Sequence, residues 1–342
     1  MARLVIERVP LVLVHDGNIS NRNQARALAA GLYSVSSSVC EIDTSRQTIP
    51  TTTVGSLVIG CGRRVAGLVA SMKMGWSERN KTVQILHPRW PITTPFFDCL
   101  VLPMHDSLGW LDDESKIVRM HGSLSWGLRK DALEYYHRVS DKLQKHSSSV
   151  HSRCTRLGVL LGGGDVQVSD FVRHMEQLKE ENVCLDIVAS RRTPTLMLNQ
   201  LKSLCLAESL WAPDQASSDT FVRKNANPYR RILATCDAFL VSSDSISMIA
   251  DVICASSERQ LPTPIFLLPT STTRSKHKRF ILETDRRFSA LTGKSIFHTF
   301  QSAADVQLGM KRGPIVSVQY EADRVATKVL ELLNLSCNQN RE

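Results

Sequence analysis

Apolar residues follow two alternating rhythms along this chain. Continuous runs, VPLVLVHD, SVCEID, SLVIGCG, TVQILHP and FDCLVLPMHD, are interleaved with NRNQARALAAGLY and VAGLVASMKMGW, in which apolar positions recur at helical spacing. Unbroken apolar runs bounded by turn residues predict strands buried on both faces. Their alternation with helices predicts a mostly parallel sheet covered on both sides. The basic segment LRKDALEYYHRVSDKLQKH (128–146) brings Leu128, Leu133, Tyr136 and Val139 near one helical face and closes this first series.

A stretch rich in serine and basic residues, KHSSSVHSRCTR (145–156), then reads as a linker. Beyond it the alternation restarts. RLGVLLGGGD is a strand entering a glycine turn, and VSDFVRHMEQLKEENV is a helix with Val168, Phe171, Met175 and Leu178 along one stripe. CLDIVAS is a strand, and PTLMLNQLKSL is a helix with Pro194 in its first turn. NPYRRILATCD, AFLVSSD, SISMIADVICASS and PIFLLP continue as helix, strand, helix and strand. The last helix, EADRVATKVLELLNL, places Val325, Val329, Leu330 and Leu333 on one side. The predicted fold class is α/β, with two Rossmann-like domains (1–150 and 151–318) facing a cleft and a C-terminal helical segment (319–342).

Length agrees, since 342 residues suffice for two domains with cores of their own. Hydrophobic residues at 42% and charged residues at 22% describe an ordinary globular protein. No apolar run approaches the roughly 20 residues of a membrane span. The N-terminus MARLVIERVP lacks the apolar stretch of a secretory signal, so a cytosolic chain is expected. Nine cysteines without a CxxC pair predict reduced, packed thiols. A net charge of +9 invites a nucleic-acid partner, but the few aromatics are not interleaved with basic residues, which argues against one. The pairs Arg191–Arg192, Arg223–Lys224 and Arg230–Arg231 and the run SKHKR (275–279) read mostly as solvated faces, the remainder open to one anionic ligand or an acidic surface.

Loops after the C-terminal ends of parallel strands face the ligand crevice, so chemistry is sought there. In LVLVHDGNISNRNQA (11–25), Asp16 and Gly17 make a tight turn, and Asn21, Asn23 and Gln24 open a helix suited to phosphate or sugar hydroxyls. A turn with an asparagine cap explains the same residues. Gly162, Gly163 and Gly164 let backbone N–H groups approach a pyrophosphate. They match neither GxGxxG nor a P-loop, which disfavours a dehydrogenase or a P-loop ATPase. Ser190, Arg191, Arg192 and Thr193 precede a helix N-terminus, a setting that favours anions. VSSDSISMIADV (241–252) crowds Ser242, Ser243, Asp244, Ser245 and Ser247 onto one strand-to-helix turn, more than a cap needs, so it reads as a nucleotide or sugar crevice. Pro228 and Tyr229 start a helix beside it. His105, Asp106 and Asp16 are candidate catalytic groups, against turn-capping roles. With His87 and Asp98 they form no metal-ligand pattern, and no metal is expected.

Taken in order, these motifs are specific: Asp16-Gly17, Asn23-Gln24, Gly62-Arg63-Arg64, Gln84 with Pro88-Arg89, Pro103-Met104-His105-Asp106, Gly162-Gly163, Ser190 through Pro194, Asn227-Pro228-Tyr229 and Asp244-Ser245-Ile246-Ser247-Met248. The set resembles the family named for mitochondrial fission and elongated mitochondria, found in plants and many bacteria. Ser20, Asn21 and Arg22 stand where that family usually has Gly, His or Ala, and an acidic residue, and Asp251 stands in place of its Glu.

The resemblance implies a frame like that of GT-B glycosyltransferases, with the nucleotide-sugar site on the second domain and the last helix crossing back to the first. It implies ligand-binding roles for Arg63, Asn227, Tyr229, Asp244, Ser245, Ser247, Met248 and Asp251 beside the glycine and Ser-Arg-Arg-Thr loops. The ligand implied is a nucleotide diphosphate or nucleotide sugar, with no covalently bound cofactor. Plant members are associated with the mitochondrial outer surface, where they help recruit a dynamin-related GTPase. A cytosolic recruitment or scaffold factor, peripheral on the mitochondrial outer membrane, is therefore expected. A metal-independent glycosyltransferase-like enzyme is the alternative on the same fold.

Overall fold

Most strands form here where three to seven mainly apolar residues follow one another, because helices cover both faces of each sheet. The computed structural model describes residues 9–32, 39–46, 55–74, 79–88, 91–106, 113–125, 155–164, 166–203, 209–212, 228–259, 263–310 and 321–335. The helix expected at 128–146, most of the linker at 145–156, and Arg89, Arg223, Lys224 and Asn227 lie outside them. The chain divides into two units, Met1–Trp126 with Gln319–Glu342, and Gly127–Val318.

In the first unit, β1 (Leu11–His15), β2 (Val39–Asp43), β3 (Leu57–Cys61), β4 (Lys81–Ile85), β5 (Cys99–Pro103) and β6 (Ile117–Met120) form a parallel sheet in the order β2-β1-β3-β4-β5-β6. Successive side chains of a strand point to opposite faces, and the core divides accordingly. Leu11, Leu13, Leu57 and Ile59 pack with Ala25, Leu28 and Leu32 of α1 (Ile19–Leu32). Val12, Val14, Val58, Leu100 and Leu102 pack with Val69 and Ala70 of α2 (Ala66–Met74).

The second unit repeats the plan with a different strand order. Its strands β7 (Thr155–Leu161), β8 (Val183–Ala189), β9 (Ser209–Trp211), β10 (Ala238–Ser242), β11 (Ile265–Leu268) and β12 (Phe297–Thr299) run parallel in the order β12-β11-β10-β7-β8-β9. The connecting helices are α3 (Val168–Glu180), α4 (Thr195–Ser203), α5 (Tyr229–Thr235), α6 (Ile246–Arg259), α7 (Ser275–Thr292) and α8 (Ala303–Met310). Leu157, Val159, Leu185 and Ile187 meet α3 and α4, whereas Leu160, Val188, Phe239 and Val241 meet α5 and α6. β9, α7, β12 and α8 go beyond the sequence reading, as does β6 in the first unit. α7 opens with the basic run taken as a solvated face, yet it buries His277, Phe280, Thr284 and Phe288.

The last helix, α9 (Glu321–Leu332), packs on the first unit, where Ala322, Val325, Ala326, Val329 and Leu330 join the core of α1. Glu321 accepts the His121 N–H at 2.8 Å, and Arg324 donates to the Arg119 carbonyl at 2.6 Å, so the end of the chain is tied to the end of β6. Cys40, Cys61, Cys99, Cys236 and Cys254 are thiols, but Cys184 is disulfide-bonded, which departs from the expected all-reduced set. Among the described residues no helix is long and apolar enough to cross a membrane.

The approach of α9 depends on Gly31, since a Cβ there would lie 2.9 Å from Ala326 Cβ and 3.0 Å from the Ala322 carbonyl oxygen. Gly31→Leu is expected to push the helices apart and lower the stability of the first unit by about 1–3 kcal/mol. Urea unfolding followed by circular dichroism measures this; an unchanged midpoint contradicts the packing role.

Candidate functional site

In an open parallel sheet, ligands bind beyond the strand C-termini where the strand order reverses. In the second unit that point lies between β7 and β10, which are neighbours in the sheet. There the Gly162 N–H donates to Ser242 Oγ at 2.8 Å and the Gly163 N–H to Asp244 Oδ2 at 3.2 Å. Four consecutive polar residues, Ser242 to Ser245, are buried at this turn. Arg192 Nη2 reaches within 3.7 Å of the same Asp244 oxygen from the loop after β8.

Neighbouring side chains crowd all three glycines. A Cβ on Gly162 would come within 2.2 Å of Asp244 Oδ1, one on Gly163 within 2.4 Å of Arg192 Cβ, and one on Gly164 within 2.2 Å of Thr270 Cβ. The glycine loop is thus clasped by the loops after β8, β10 and β11. Two of its amides, expected from the sequence to meet a pyrophosphate, are engaged by Ser242 and Asp244. Thr193 locks the β8 loop by donating to the Leu161 and Gly162 carbonyls at 3.0 and 2.8 Å, while its Oγ1 accepts the Ser190 N–H. Arg191 and Arg192 remain exposed.

The loop after β11 adds residues that sequence reasoning passed over. Ser243 Oγ lies 2.6 Å from Thr273 Oγ1, which lies 2.9 Å from Thr270 Oγ1. His277 caps α7, its Nδ1 accepting the Arg274 N–H at 3.0 Å. Burial holds the His277 ring below the usual histidine range; Lys276, Arg274 and Arg192 push the same way, against the pull of Asp244. These four charges therefore act on one ring. The available signal was the run TSTTRSKHKR directly after a buried strand.

Other expected residues lie elsewhere in this unit or serve the fold. Tyr229 Oη donates to Asp251 Oδ2 at 2.9 Å, so the carboxylate expected among the ligand-binding residues holds a half-buried tyrosine. Burial raises the Tyr229 hydroxyl well above the usual range, and the Asp251 charge adds to it. Met248 packs on the apolar core of β10 and α5. Ser245 is the buried residue before α6, and Ser247 is half-buried in its first turn.

The first unit has its own reversal point, between β1 and β3. Asp16 Oδ1 accepts the Asn18 N–H at 3.2 Å and Asn21 Nδ2 at 3.1 Å, and Asn21 lies where a Cβ on Gly62 would come within 2.4 Å. Gly17, at φ +72°, allows the turn. Asn23 is half-buried on α1 and Gln24 is buried there, while Arg63 is exposed after β3. His105 and Asp106 stand 3.9 Å apart after β5. Asp98 lies at the opposite end of β5, held by Lys73 at 2.9 Å. Among the described residues no group of three or more His, Cys, Asp or Glu is placed to hold a metal ion.

Residues 6–333 match the model of the family described as Mitochondrial fission ELM1. The chain belongs to the mitochondrial fission ELM1 family. This ELM1-family chain is also similar to MurG of Acinetobacter baumannii, at 11% identity over 96% of this chain and 99% of that one, with a TM-score of 0.42. A UDP-GlcNAc 2-epimerase from Neisseria meningitidis, solved bound to UDP-GlcNAc, is 11% identical over 96% and 100%, with a TM-score of 0.49. A UDP-glucosyltransferase from Polygonum tinctorium is 8% identical over 96% and 94%, with a TM-score of 0.44. No curated protein matches the sequence. The fold of the ELM1-family chain rests on its own strand orders.

Two outcomes test this geometry. Tyr229→Phe removes one donor to Asp251 and is expected to cost about 1 kcal/mol in urea unfolding; no loss would mean that the bond is not made. For His277, the unfolded ring protonates near its ordinary value of 6.5 and the folded ring only lower. The unfolded state binds the extra proton first, so this contribution is present above 6.5 and is lost as pH falls towards the folded value. His277→Gln is expected to flatten the dependence of Tm on pH in that window, and wild-type and variant profiles that run parallel would refute it.

Proposed function

We propose that the second unit binds a nucleoside diphosphate or nucleotide sugar at the reversal point between β7 and β10. The observation that carries this reading is the convergence of the β7, β8, β10 and β11 loops on Asp244, with Arg192 3.7 Å away and the hydroxyls of Ser243, Thr270 and Thr273 alongside. Guanidinium groups and helix N-termini stabilise phosphate, and hydroxyls pair with ribose or sugar. In a transfer reaction Arg192 and the start of α6 would stabilise the departing diphosphate, because fixed positive groups act most strongly where negative charge develops. The GT-B-like frame inferred from the sequence supports the same assignment.

Family membership favours a second reading on the same frame, a recruitment or scaffold factor for a dynamin-related GTPase at the mitochondrial outer surface. The basic run at the start of α7 suits an acidic partner or an anionic membrane surface. Loss of the gene is then expected to lengthen mitochondria and to reduce GTPase recruitment; unchanged length and recruitment would exclude this role.

The ligand reading is tested by thermal shift against UDP, GDP, CMP and ADP and their sugar conjugates at millimolar concentration. One of them at ~100 times its Kd should stabilise the protein by about 2.7 kcal/mol. Arg192→Ala is expected to abolish the shift while changing intrinsic stability little, because that side chain is 63% exposed. A flat response across the panel would sink the proposal.

A further inference from the structure

Donors that would hold a phosphate at this reversal point are already held by a side chain of the protein. Asp244 is 3% exposed, and its Oδ2 takes both the Gly163 N–H, at 3.2 Å, and the proximity of Arg192 Nη2, at 3.7 Å. A carboxylate and a phosphate seek the same partners, amide N–H groups and the guanidinium fork. They also repel each other at this range. The second oxygen, Oδ1, is buried without a hydrogen-bond partner. Such an oxygen forgoes hydration without full compensation, which costs stability. Gly162 makes room for it, since a Cβ there would meet it at 2.2 Å. The charges that act on His277 complete the picture, with Arg192, Arg274 and Lys276 positive and Asp244 negative.

From this we infer that Asp244 determines the ligand selectivity of the crevice: it is a tethered anion in the phosphate seat, and a phosphate-bearing ligand binds by exchange. The incoming phosphate takes over the Gly163 N–H and the Arg192 guanidinium, and Asp244 gives them up. The inference rests on the nucleotide-site reading above. Phosphate binding is then held back by the charge at position 244, and the nucleoside or sugar part of the ligand must supply the remaining affinity. A carboxylate serving only to brace the turn predicts the opposite, because weakening the brace would loosen the seat.

The test is calorimetric titration of the full chain with UDP and, separately, with inorganic pyrophosphate. Asp244→Asn keeps the shape and an acceptor for Gly163 but removes the charge. It is expected to bind pyrophosphate about tenfold tighter or more than the wild type, as loss of one nearby like charge implies. UDP should gain in the same direction. Equal or weaker binding by a folded Asp244→Asn variant overturns the role of Asp244 and leaves the site standing. Should that variant not fold, Asp244→Ser, which retains a hydroxyl acceptor, is read in the same way. The wild type supplies an independent readout: on saturation with UDP the Gly163 amide resonance must move, and a resonance that stays put overturns exchange. Failure of both probes to bind the wild type and Asp244→Asn, together with a flat nucleotide panel, removes the site itself.

Discussion

Absence of side chains at Gly162, Gly163 and Gly164 is the constraint on which the second unit's crevice depends. Each position is crowded by a different loop: Asp244 after β10, Arg192 after β8, and Thr270 after β11. Atoms at 2.2 to 2.4 Å from a would-be Cβ leave no room for even alanine unless the neighbouring side chain moves. Close packing thus brings a buried carboxylate, an exposed guanidinium and a chain of hydroxyls to one point from four separate loops of the chain. The glycines act through their missing atoms as much as through their amides.

The first unit uses the same device for a different end. Its reversal point is closed by Asn21 against Gly62 and by the Asp16 turn, so the polar side chains there mainly satisfy backbone and one another. His15 is likewise engaged, with the Gly17 N–H donating to Nδ1 and Glu41 2.8 Å from Nε2. Burial works to raise the Glu41 carboxyl, yet Arg26 and His15 outweigh it and hold it low. In the second unit an exposed Arg192 stands beside the buried Asp244 carboxylate, one oxygen of which has no hydrogen-bond partner, and the proposed ligand site rests on that arrangement. Family membership and this local chemistry answer separate questions, since one fold carries many functions.

Much of the fold was legible because parallel strands buried on both faces must be apolar throughout. β1, β3, β5 and β10 are fully buried and were read directly as LVLVH, LVIGC, CLVLP and AFLVS. β9 and β12 were not read, since three residues carry too little pattern. α7 was missed for a different reason: its 18 residues carry a dense basic run at the start, and charge masked the spaced anchors His277, Phe280, Thr284 and Phe288. In the site, the turn at Ser242 to Ser245 and the Arg192 loop were recognised by their position after strands. The threonines after β11 were not, because hydroxyl residues in a loop look alike whether or not they meet a neighbour.

By itself the sequence determined the α/β class, the strand ends that carry the polar loops, and the family, because strand burial, turn residues and motif order are local properties. Only the tertiary structure decided the pairing of those strand ends. Strand order is set by long-range hydrogen bonding, which places β10 beside β7 and so Asp244 against the glycine loop. The same folding commits Asp251 to Tyr229 and α9 to α1. Which groups each carboxylate meets depends on neighbours distant in sequence, and no local pattern encodes them.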